Sequence, residues 1–242
     1  MSEIKIEDID TAILCGGLGT RLKDLTKDIP KPMVDIHGQP FLDILIKYVC
    51  SFGFKRFILC SGYKSEVISK YYSKKEDGIE YVFSKEEVPL GTGGALVQAK
   101  KLIRSKVFLC LNGDSICQVN LKNFYNFHLI KKAKASIALT SVDDPRNYGR
   151  IALNENQEII QFSEKGPSKV DGNLINTGVY LMDRELINSF PSNKKLSLEY
   201  DMFPAFTQNN LHGYIDKAEL FDIGTPERLN KLRKHFQPKE SR

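Results

Sequence analysis

Short, largely apolar runs alternate with stretches of helical periodicity in the first half of this chain, and this alternation constrains the fold more than any other feature. The runs predict strands at 11–15, 56–60, 79–83 and 106–111, and the helical stretches lie at 41–52, 64–72 and 95–103. A strand that is apolar on both faces needs cover on both sides of its sheet. Helices between the strands supply that cover, which is the arrangement of βαβ units around a parallel sheet.

The second half of the chain has a different pattern. Strands are predicted at 135–142, 150–153, 159–162 and 173–182, and helices at 199–207 and 226–236. Because no helix separates these consecutive strands, they favour antiparallel pairing against the parallel half. No repeat or linker divides the sequence. We therefore predict one α/β domain over residues 1–242, a Rossmann-like fold with a mixed, mainly parallel central sheet.

Charge and composition exclude several classes of partner. The net charge of the 242 residues is +5, but residues 226–242 carry six basic and two acidic side chains, so the rest of the chain is nearly neutral. A nucleic-acid-binding protein usually has a basic stripe on its fold, so we expect small-molecule substrates and no nucleic acid. The longest clearly apolar stretch, 107–111, is far shorter than the roughly 20 residues of a membrane-spanning helix.

The cysteines and the N-terminus indicate a reduced, cytoplasmic protein. The five cysteines are odd in number and form no CxxC pair, and the N-terminus has no apolar region typical of a secretory signal. The four histidines have no metal-ligand spacing with a cysteine or with one another. Neither a disulfide framework nor a zinc site is predicted.

A glycine-rich segment, LCGGLGTRL at 14–22, follows the first predicted strand. Three glycines within four positions allow close approach of a ligand, and the N–H groups of such a loop can bind an anion. Leu22 occupies the last glycine position of a dinucleotide-binding fingerprint, and no Gly-Lys-Ser/Thr of a P-loop follows. The glycines alone also fit a tight strand-to-helix turn.

Two basic side chains accompany this loop. Arg21 offers a planar set of donors to phosphate. Lys31 lies between two prolines, which hold its backbone extended and so orient its charge. Because ligands of open α/β sheets bind at the carboxyl ends of the strands, the loop, the turn at 112–114 and the segment 221–226 are predicted to converge. Taken alone, Lys31 also fits a proline-rich surface loop.

Eight short motifs occur in a fixed order along the chain. They are GGLGTRL at 16–22, PKPM at 30–33, PLGTGGA at 89–95, NGD at 112–114, YG at 148–149, FSEK at 162–165, NTGVY at 176–180 and DIGTP at 222–226. Together they cover about residues 11–236, and this ordered set resembles the signature of the sugar-1-phosphate nucleotidyltransferases. The resemblance implies a nucleotide-binding half at about 11–115 and a sugar-binding half at about 116–236.

The resemblance also implies a reaction and a set of site residues. The reaction transfers a nucleoside monophosphate from a nucleoside triphosphate to a sugar 1-phosphate and releases pyrophosphate. The implied catalytic residues are Arg21, Lys31 and Asp114, and Asp114 and Asp222 are the implied ligands of Mg²⁺. The implied nucleotide-binding residues are Leu14, Gly16, Gly17, Gly19, Thr20, Glu86, Gly91 and Thr92. The implied sugar-phosphate-binding residues are Gly149, Glu164, Lys165, Asn176 and Thr177.

Simpler interpretations and other functions remain open. Asp114 fits a turn, Asp222 fits a helix cap, and Glu164-Lys165 fits an exposed charged pair. A catalytically inactive relative that senses a nucleotide sugar is expected to lack a catalytic cation or a metal-binding aspartate, and none is missing here. A glycosyltransferase normally needs a DxD motif, whose first aspartate is replaced by Asn112.

Glu86 favours GTP as the nucleotide donor. It lies five residues before Gly91, where thymidylyl and uridylyl members of the family often have a glutamine. An ionised carboxylate only accepts hydrogen bonds, and guanine presents two adjacent donors, N1–H and the N2 amino group. Glu87 is an alternative because the loop register is open by one residue, and a pair of solvated glutamates is the structural alternative. UTP, dTTP and CTP remain alternative donors.

The sugar is predicted from similarity within the family. In length and in the motifs PKPM, GQPFLD and PLGTGGAL, the chain is most similar to members that act on D-glycero-α-D-manno-heptose 1-phosphate. Mannose 1-phosphate is the second candidate, and glucose or amino-sugar 1-phosphates are alternatives. The family often adds a C-terminal β-helix, whereas this sequence ends about six residues after its last predicted helix. We expect a homo-oligomer, if one forms, to use the core domain.

Overall fold

The computed structural model describes residues 5–17, 19–163, 170–207 and 210–237, in which a nine-stranded mixed sheet forms the centre of the fold. The strands are β1 (Asp10–Leu14), β2 (Asp35–Ile36), β3 (Gln39–Pro40), β4 (Arg56–Ser61), β5 (Glu80–Lys85), β6 (Val107–Asn112), β7 (Ser115–Cys117), β8 (Ala135–Ser141), β9 (Arg150–Leu153), β10 (Ile159–Ser163), β11 (Leu174–Asp183), β12 (Leu211–Ile215) and β13 (Leu220–Asp222). The helices are α1 (Phe41–Cys50), α2 (Ser65–Tyr72), α3 (Gly91–Ala99), α4 (Leu121–Lys131), α5 (Arg184–Asn188) and α6 (Pro226–His235).

The sheet combines a parallel core with antiparallel strands from the second half of the chain. The core has the order β6–β1–β4–β5, and each of these strands runs parallel to its neighbours within the core. Strand β11 pairs antiparallel with β6, β8 and β9, while β12 pairs parallel with β8 and β10 pairs antiparallel with β9. The predicted α/β class with a mixed central sheet is confirmed. The division into a nucleotide-binding and a sugar-binding half stays a prediction.

The core strands are apolar throughout because each face packs into a different hydrophobic cluster. Ile13 and Leu59 belong to the cluster that includes α1, whereas their neighbours Ala12 and Ile58 belong to the cluster that includes α3. All four side chains have 0% exposure. Burying a residue such as Ile or Leu stabilises the fold by about 1.5–3 kcal/mol. Both faces of the sheet are therefore covered, as the continuous apolar runs predicted.

Two helical predictions differ from the structure. Helix α3 begins at Gly91 rather than at residue 95, so the glycine-rich stretch is its first turn and not a loop before it. The helix predicted at 199–207 is a turn of π-helix at Leu198–Met202 followed by a 3-10 turn at Phe203–Phe206. Pro204 lies at the start of that second turn, and it has no N–H to continue a helical hydrogen-bond ladder.

Helix α4 was not predicted, although its buried residues follow helical spacing. Leu121, Phe124, Tyr125 and His128 are buried, and the side chain of Asn120 caps the helix by accepting the N–H of Asn123 at 3.0 Å. The apolar stripe is hidden in the sequence because a histidine is one of the buried residues and exposed apolar side chains follow it.

The five cysteines are free thiols, and all but Cys50 are buried. Within the described part of the chain, every helix is too short or too polar to cross a membrane.

Candidate active site

Two clefts open where β1 and β6 end, and they share a wall. The first has a volume of about 360 Å³, contains the carboxylate of Glu86, and is called here the Glu86 cleft. The second has a volume of about 480 Å³, contains the carboxylate of Asp222, and is called the Asp222 cleft. The residues that line both clefts are Lys31, Thr92, Asn112 and Asp114. The edge of the sheet predicted to bind ligands thus carries two adjoining chambers.

Most of the predicted site residues line these clefts. Those in the Glu86 cleft are Leu14, Gly16, Gly17, Glu86 and Gly91. Those in the Asp222 cleft are Gly19, Arg21, Gly149, Asn176, Thr177 and Asp222. The glycine-rich loop therefore runs along both chambers. Glu164, Lys165 and the side chain of Thr20 lie outside the residues that the structure describes, and the role of every site residue stays a prediction.

Lys31 is held at the shared wall. It begins a 3-10 turn at Lys31–Met33 that Pro30 enters in an extended conformation, and Pro32 is buried beside it. Its Nζ lies 2.6 Å from Oδ2 of Asp114, and only 11% of its side chain is exposed. An ammonium group so enclosed is a fixed positive charge. The extended backbone predicted from the flanking prolines is wrong, because Lys31 itself lies in the 3-10 turn and the contact with Asp114 holds its charge in place. The alternative of a proline-rich surface loop does not describe this geometry.

The β7–β13 ladder brings the two predicted metal-binding aspartates together. Asp222 pairs with Ser115, the residue that follows Asp114, and the backbone N–H of Ile223 donates to the carbonyl oxygen of Asp114 at 3.0 Å. Both carboxylates line the Asp222 cleft. Asp222 accepts the N–H of Gly224 at 2.8 Å and an N–H of Arg228 at 2.9 Å. Asp222 thus lines the cleft four residues before Pro226, the first residue of α6, while Thr225 caps that helix.

Glu86 is a buried carboxylate that lines its cleft. Its side-chain Oε2 accepts the backbone N–H of Leu90 at 2.9 Å, and the residue is 8% exposed. Burial raises the pKa of this carboxyl, and the hydrogen bond from Leu90 partly opposes the shift. A Cβ on Gly16 would lie 2.6 Å from Oε1, so the loop approaches the carboxylate as closely as a glycine allows. Glu87 has an 81% exposed side chain, pairs with Lys85, and lines neither cleft.

The glycines at the start of α3 admit a second chain segment. Gly91 has φ +72°, and a Cβ there would lie 2.6 Å from the carbonyl oxygen of Leu196. That oxygen accepts the N–H groups of Gly93 and Gly94 at 2.9 and 3.1 Å. The loop was predicted to face a nucleotide base, yet these two donors are satisfied within the protein. The glycine requirement at this position is explained by backbone packing against Leu196.

Asn176 is fixed on the wall of the Asp222 cleft. Its Oδ1 accepts the N–H of Gly178 at 2.9 Å, its Nδ2 donates to the hydroxyl of Tyr180 at 3.0 Å, and its backbone N–H donates to the carbonyl of Gly149 at 2.9 Å. The neighbouring Thr177 is 2% exposed, and its hydroxyl donates to the carbonyl of Ala138 at 2.8 Å. Thr177 has therefore already used its single proton, and its hydroxyl can offer a ligand only a lone pair.

Comparison with known proteins decides the family. The Nucleotidyl transferase family model matches residues 11–238. The chain belongs to this nucleotidyl transferase family. It is 37% identical over 215 residues to D-glycero-alpha-D-manno-heptose 1-phosphate guanylyltransferase of Campylobacter jejuni, with 89% of this chain and 94% of that protein covered.

Two further relatives of this nucleotidyl transferase are informative. Mannose-1-phosphate guanylyltransferase of Mycobacterium tuberculosis is 32% identical over 90% of this chain and 62% of its own length. The crystal structure of HddC from Yersinia pseudotuberculosis complexed with GMP-PN superposes with a TM-score of 0.83 at 37% identity, covering 95% of this chain and all of that one. The resemblance found in the motifs is confirmed at the level of family and fold.

Nucleotidyltransferases of this family generally use a divalent metal, and the aspartates of this nucleotidyl transferase fit one. Mg²⁺ is held in proteins by one or two carboxylates, and substrate oxygens and water complete its shell. Asp114 and Asp222 supply two carboxylates on one cleft wall. Within the described ranges, no group of three or more His, Cys, Asp or Glu side chains could hold a metal ion. A metal bound by Asp114 and Asp222 would therefore need non-protein ligands as well.

Two side chains of the nucleotidyl transferase site were missed by the sequence reasoning. Arg228 forms the ion pair with Asp222, and its guanidinium carbon lies 5.2 Å from the ring centroid of Tyr148. Its signal was its place in the first turn of α6, directly after the DIGTP motif. Glu199 lines the Asp222 cleft and accepts hydrogen bonds from Thr92, Ser197 and Tyr180. Its only signal was an acidic residue at the start of the predicted helix 199–207, and Asp201 gives the same signal.

Proposed function

We propose that this nucleotidyl transferase transfers GMP from GTP to a sugar 1-phosphate, with release of pyrophosphate. The observation that carries the proposal is the Lys31–Asp114 pair, which stands at the wall shared by two clefts. One cleft ends at the buried carboxylate of Glu86, and the other is lined by Asn176 and two aspartates. Two substrates in adjoining chambers would therefore meet beside a fixed positive charge.

The reaction places two polyanions in contact. A phosphate oxygen of the sugar 1-phosphate attacks the α-phosphorus of GTP, a P–O bond forms there, and the bond from that phosphorus to the bridging oxygen of the β-phosphate breaks. Pyrophosphate leaves with that electron pair. Repulsion between the reactants is the main barrier that a protein can reduce, so positioning and fixed charge carry most of the catalysis.

The cations of the site offset this repulsion. Lys31 is enclosed and needs little reorganisation, so its ammonium group would be in place to stabilise the phosphates. Arg21 is exposed at the rim of the Asp222 cleft and can close on the leaving pyrophosphate. Asp114 and Asp222 would hold Mg²⁺, which supplies charge neutralisation and Lewis-acid polarisation of phosphate oxygens when bound.

Glu86 supplies the preference for guanine. Each carboxylate oxygen has two acceptor sites, so Oε2 can bind the N–H of Leu90 and still accept from a base. Guanine places N1–H and its amino group against a carboxylate, whereas uracil and thymine would place a carbonyl there. A buried contact between two acceptors is strongly rejected. Since Glu87 lines neither cleft, the choice between the two glutamates falls on Glu86.

The acceptor we propose is D-glycero-α-D-manno-heptose 1-phosphate, with mannose 1-phosphate as the second candidate. Relatives at 37% and 32% identity carry these two activities. The Asp222 cleft presents amide and carboxylate groups suited to sugar hydroxyls. A cytoplasmic location accords with five free thiols and with a nucleoside triphosphate substrate.

The test is a matrix of donors and acceptors. The purified protein is incubated with Mg²⁺, one of five triphosphates (GTP, ATP, CTP, UTP or dTTP), and one sugar 1-phosphate from a heptose, mannose, glucose and glucosamine set. Pyrophosphate release and the nucleotide sugar are measured. We expect the highest kcat/KM for GTP with a manno-configured acceptor. A preference for UTP or dTTP, or for glucose 1-phosphate, would overturn the respective assignment.

A catalytically inactive sensor is distinguished by the same experiment. Such a protein would bind the nucleotide sugar and release no pyrophosphate with any pair. The presence of Arg21, Lys31 and both aspartates in the clefts argues for turnover.

A further inference from the structure

The carboxylate of Glu199 connects the walls of the two clefts. Its Oε2 accepts from the hydroxyls of Thr92 at 3.0 Å and Ser197 at 2.8 Å, and its Oε1 accepts from the hydroxyl of Tyr180 at 3.2 Å. Thr92 lines both clefts, and Tyr180 contacts Asn176 on the wall of the Asp222 cleft. One side chain is therefore linked to the proposed nucleotide side and to the proposed sugar side.

The direction of every hydrogen bond in this network follows from that carboxylate. An ionised carboxylate only accepts, so Tyr180 donates its single hydroxyl proton to Glu199. The Tyr180 oxygen must then accept from Asn176, which places Nδ2 of the amide toward it at 3.0 Å. The Oδ1 atom is left facing the N–H of Gly178 at 2.9 Å. The amide of Asn176 is thus held in one of its two orientations.

A fixed amide has a defined hydrogen-bonding face. After these contacts Nδ2 has a second hydrogen and Oδ1 has a second lone pair with which to bind a ligand in the Asp222 cleft. A flipped amide would exchange the positions of donor and acceptor and would bind a different pattern of sugar hydroxyls. The orientation of Asn176 therefore bears on which hydroxyl arrangement the cleft accepts.

The Oε2 atom of Glu199, called here the Thr92 arm of the carboxylate, constrains Thr92 in the same way. Thr92 donates its proton to Glu199 and accepts the N–H of Leu198 at 2.9 Å. Its hydroxyl can therefore present only a lone pair to a nucleotide. This arm also ties the first turn of α3 to the π-helical turn that carries Glu199.

We propose that Glu199 is a positioning residue that orients Asn176, through Tyr180, for the hydroxyls of the sugar 1-phosphate. This inference rests on the proposed function. It assigns to Glu199 no contact with the reacting phosphates, so its effect falls on sugar affinity more than on nucleotide affinity.

The experiment compares Glu199→Gln, Tyr180→Phe and the double variant by isothermal titration calorimetry with D-glycero-α-D-manno-heptose 1-phosphate and with GTP. Each single variant is expected to raise the Kd for the sugar phosphate by about tenfold, the scale of one hydrogen bond to a charged group. Tyr180→Phe is expected to change the Kd for GTP by less than about twofold, since it leaves the Thr92 arm in place. The double variant should bind the sugar phosphate no more weakly than either single one, because both substitutions break the same path.

Tyr200→Phe is the matched control, because it makes the same substitution as Tyr180→Phe at an exposed tyrosine next to Glu199 in the same π-helical turn. It should leave the Kd for the sugar phosphate near the wild-type value. Circular dichroism and thermal unfolding establish that each variant folds. If Tyr180→Phe does not fold, Glu199→Gln alone tests the proposal. The role of Glu199 would be overturned if Tyr180→Phe raised the Kd for GTP as much as the Kd for the sugar phosphate. It would also be overturned if the effects of the two single substitutions multiplied in the double variant.

Wild-type activity separates this inference from the proposed function. Pyrophosphate release is measured on the same wild-type preparation with GTP and the heptose phosphate. If the wild type binds and turns over both substrates while Glu199→Gln keeps wild-type affinity, only the role of Glu199 is wrong. If the wild type neither binds the sugar phosphate nor releases pyrophosphate, the proposed function is wrong and this inference falls with it.

Discussion

Lys31 and Asp114 lie 83 residues apart in sequence, yet the Nζ of one is 2.6 Å from the Oδ2 of the other. The two side chains line both clefts, so this ion pair stands where the two proposed substrates would meet. Lys31 is mostly enclosed, whereas 44% of the Asp114 side chain is exposed. The aspartate can therefore reach a cation in the cleft, and the lysine stays in place to contact phosphate.

The first prediction concerns Lys31. We expect Lys31→Ala to lower kcat by at least about 100-fold, because a preorganised charge at the reacting phosphates is worth about 10²–10³ in rate. Steady-state pyrophosphate release measures the effect. Lys55→Ala is the matched control, since Lys55 pairs with Glu7 in an exposed ion pair and lines neither cleft. Near-normal turnover in folded Lys31→Ala would remove Lys31 from the catalytic residues.

The second prediction concerns the pH dependence of GTP recognition by Glu86. Burial raises the pKa of Glu86, and only its ionised form accepts both guanine donors. The Kd for GTP should therefore increase as the pH falls through this raised pKa, at a higher pH than an exposed glutamate would require. In Glu86→Gln the preference for GTP over dTTP should be lost, and the ratio of the two Kd values should no longer vary with pH between 5 and 7. The ratio of the two Kd values removes the contribution of any group whose titration changes the affinity for both nucleotides equally.

The outcome that contradicts this assignment is equally specific. If Glu86→Gln keeps the GTP preference, the base is read elsewhere in the cleft. Glu87→Gln serves as the control, because Glu87 is exposed and its substitution should leave the preference unchanged.

The third prediction concerns Arg228 and metal affinity. Arg228 donates to Asp222 at 2.9 Å, so a divalent cation that binds Asp222 competes with the guanidinium. Arg228→Met should therefore tighten binding of Mn²⁺ in the absence of substrates by about threefold, a modest change because ion pairs that are partly open to solvent are weak. Electron paramagnetic resonance of free Mn²⁺ measures the affinity. Arg233→Met is the control on the same helix, since the guanidinium of Arg233 donates to the backbone carbonyl of Asp35 and lines neither cleft.

Weaker Mn²⁺ binding in Arg228→Met would show that the arginine supports the metal site rather than competing with it. Unchanged binding would show that Asp222 does not contribute to metal affinity.

The fourth prediction concerns stability at acid pH. His128 is 2% exposed, and burial lowers its pKa to about 4, while its Nδ1 lies 2.9 Å from the hydroxyl of Ser136. Between pH 6.5 and 4 the unfolded chain binds a proton that the folded protein does not, so stability falls as the pH drops through that window. From pH 7.5 to 5.5 the loss from this group is on the order of 1 kcal/mol. Urea unfolding at the two pH values measures it.

Burial also lowers the pKa of His212, so the total loss of unfolding free energy at acid pH should exceed the loss from His128 alone. His128→Gln should reduce the difference in unfolding free energy between the two pH values. An unchanged difference in the variant would mean that other groups cause the acid sensitivity.

The sequence by itself determined the elements whose pattern is local. Continuous apolar runs predicted β1, β4 and β6, because a strand covered on both faces needs apolar side chains at every position. The two prolines predicted a constrained backbone at Lys31, but that backbone begins a 3-10 turn instead of staying extended, and the contact with Asp114 holds the charge. The motifs were sufficient for the family because each is a short stretch of chain with its own chemistry.

Only the tertiary structure decided which of these stretches meet. Thr92 and Glu199 are separated by 107 residues, and no periodicity in either segment indicates that their side chains touch. The close packing of the α3 glycines against the carbonyl of Leu196 is likewise absent from any local pattern, because Leu196 belongs to a distant segment of the chain. Which of Glu86 and Glu87 lines the cleft likewise depends on which of two adjacent side chains turns inward. Periodicity records which local face is apolar, whereas long-range contacts depend on sheet order and strand pairing, which bring together residues that no local pattern relates.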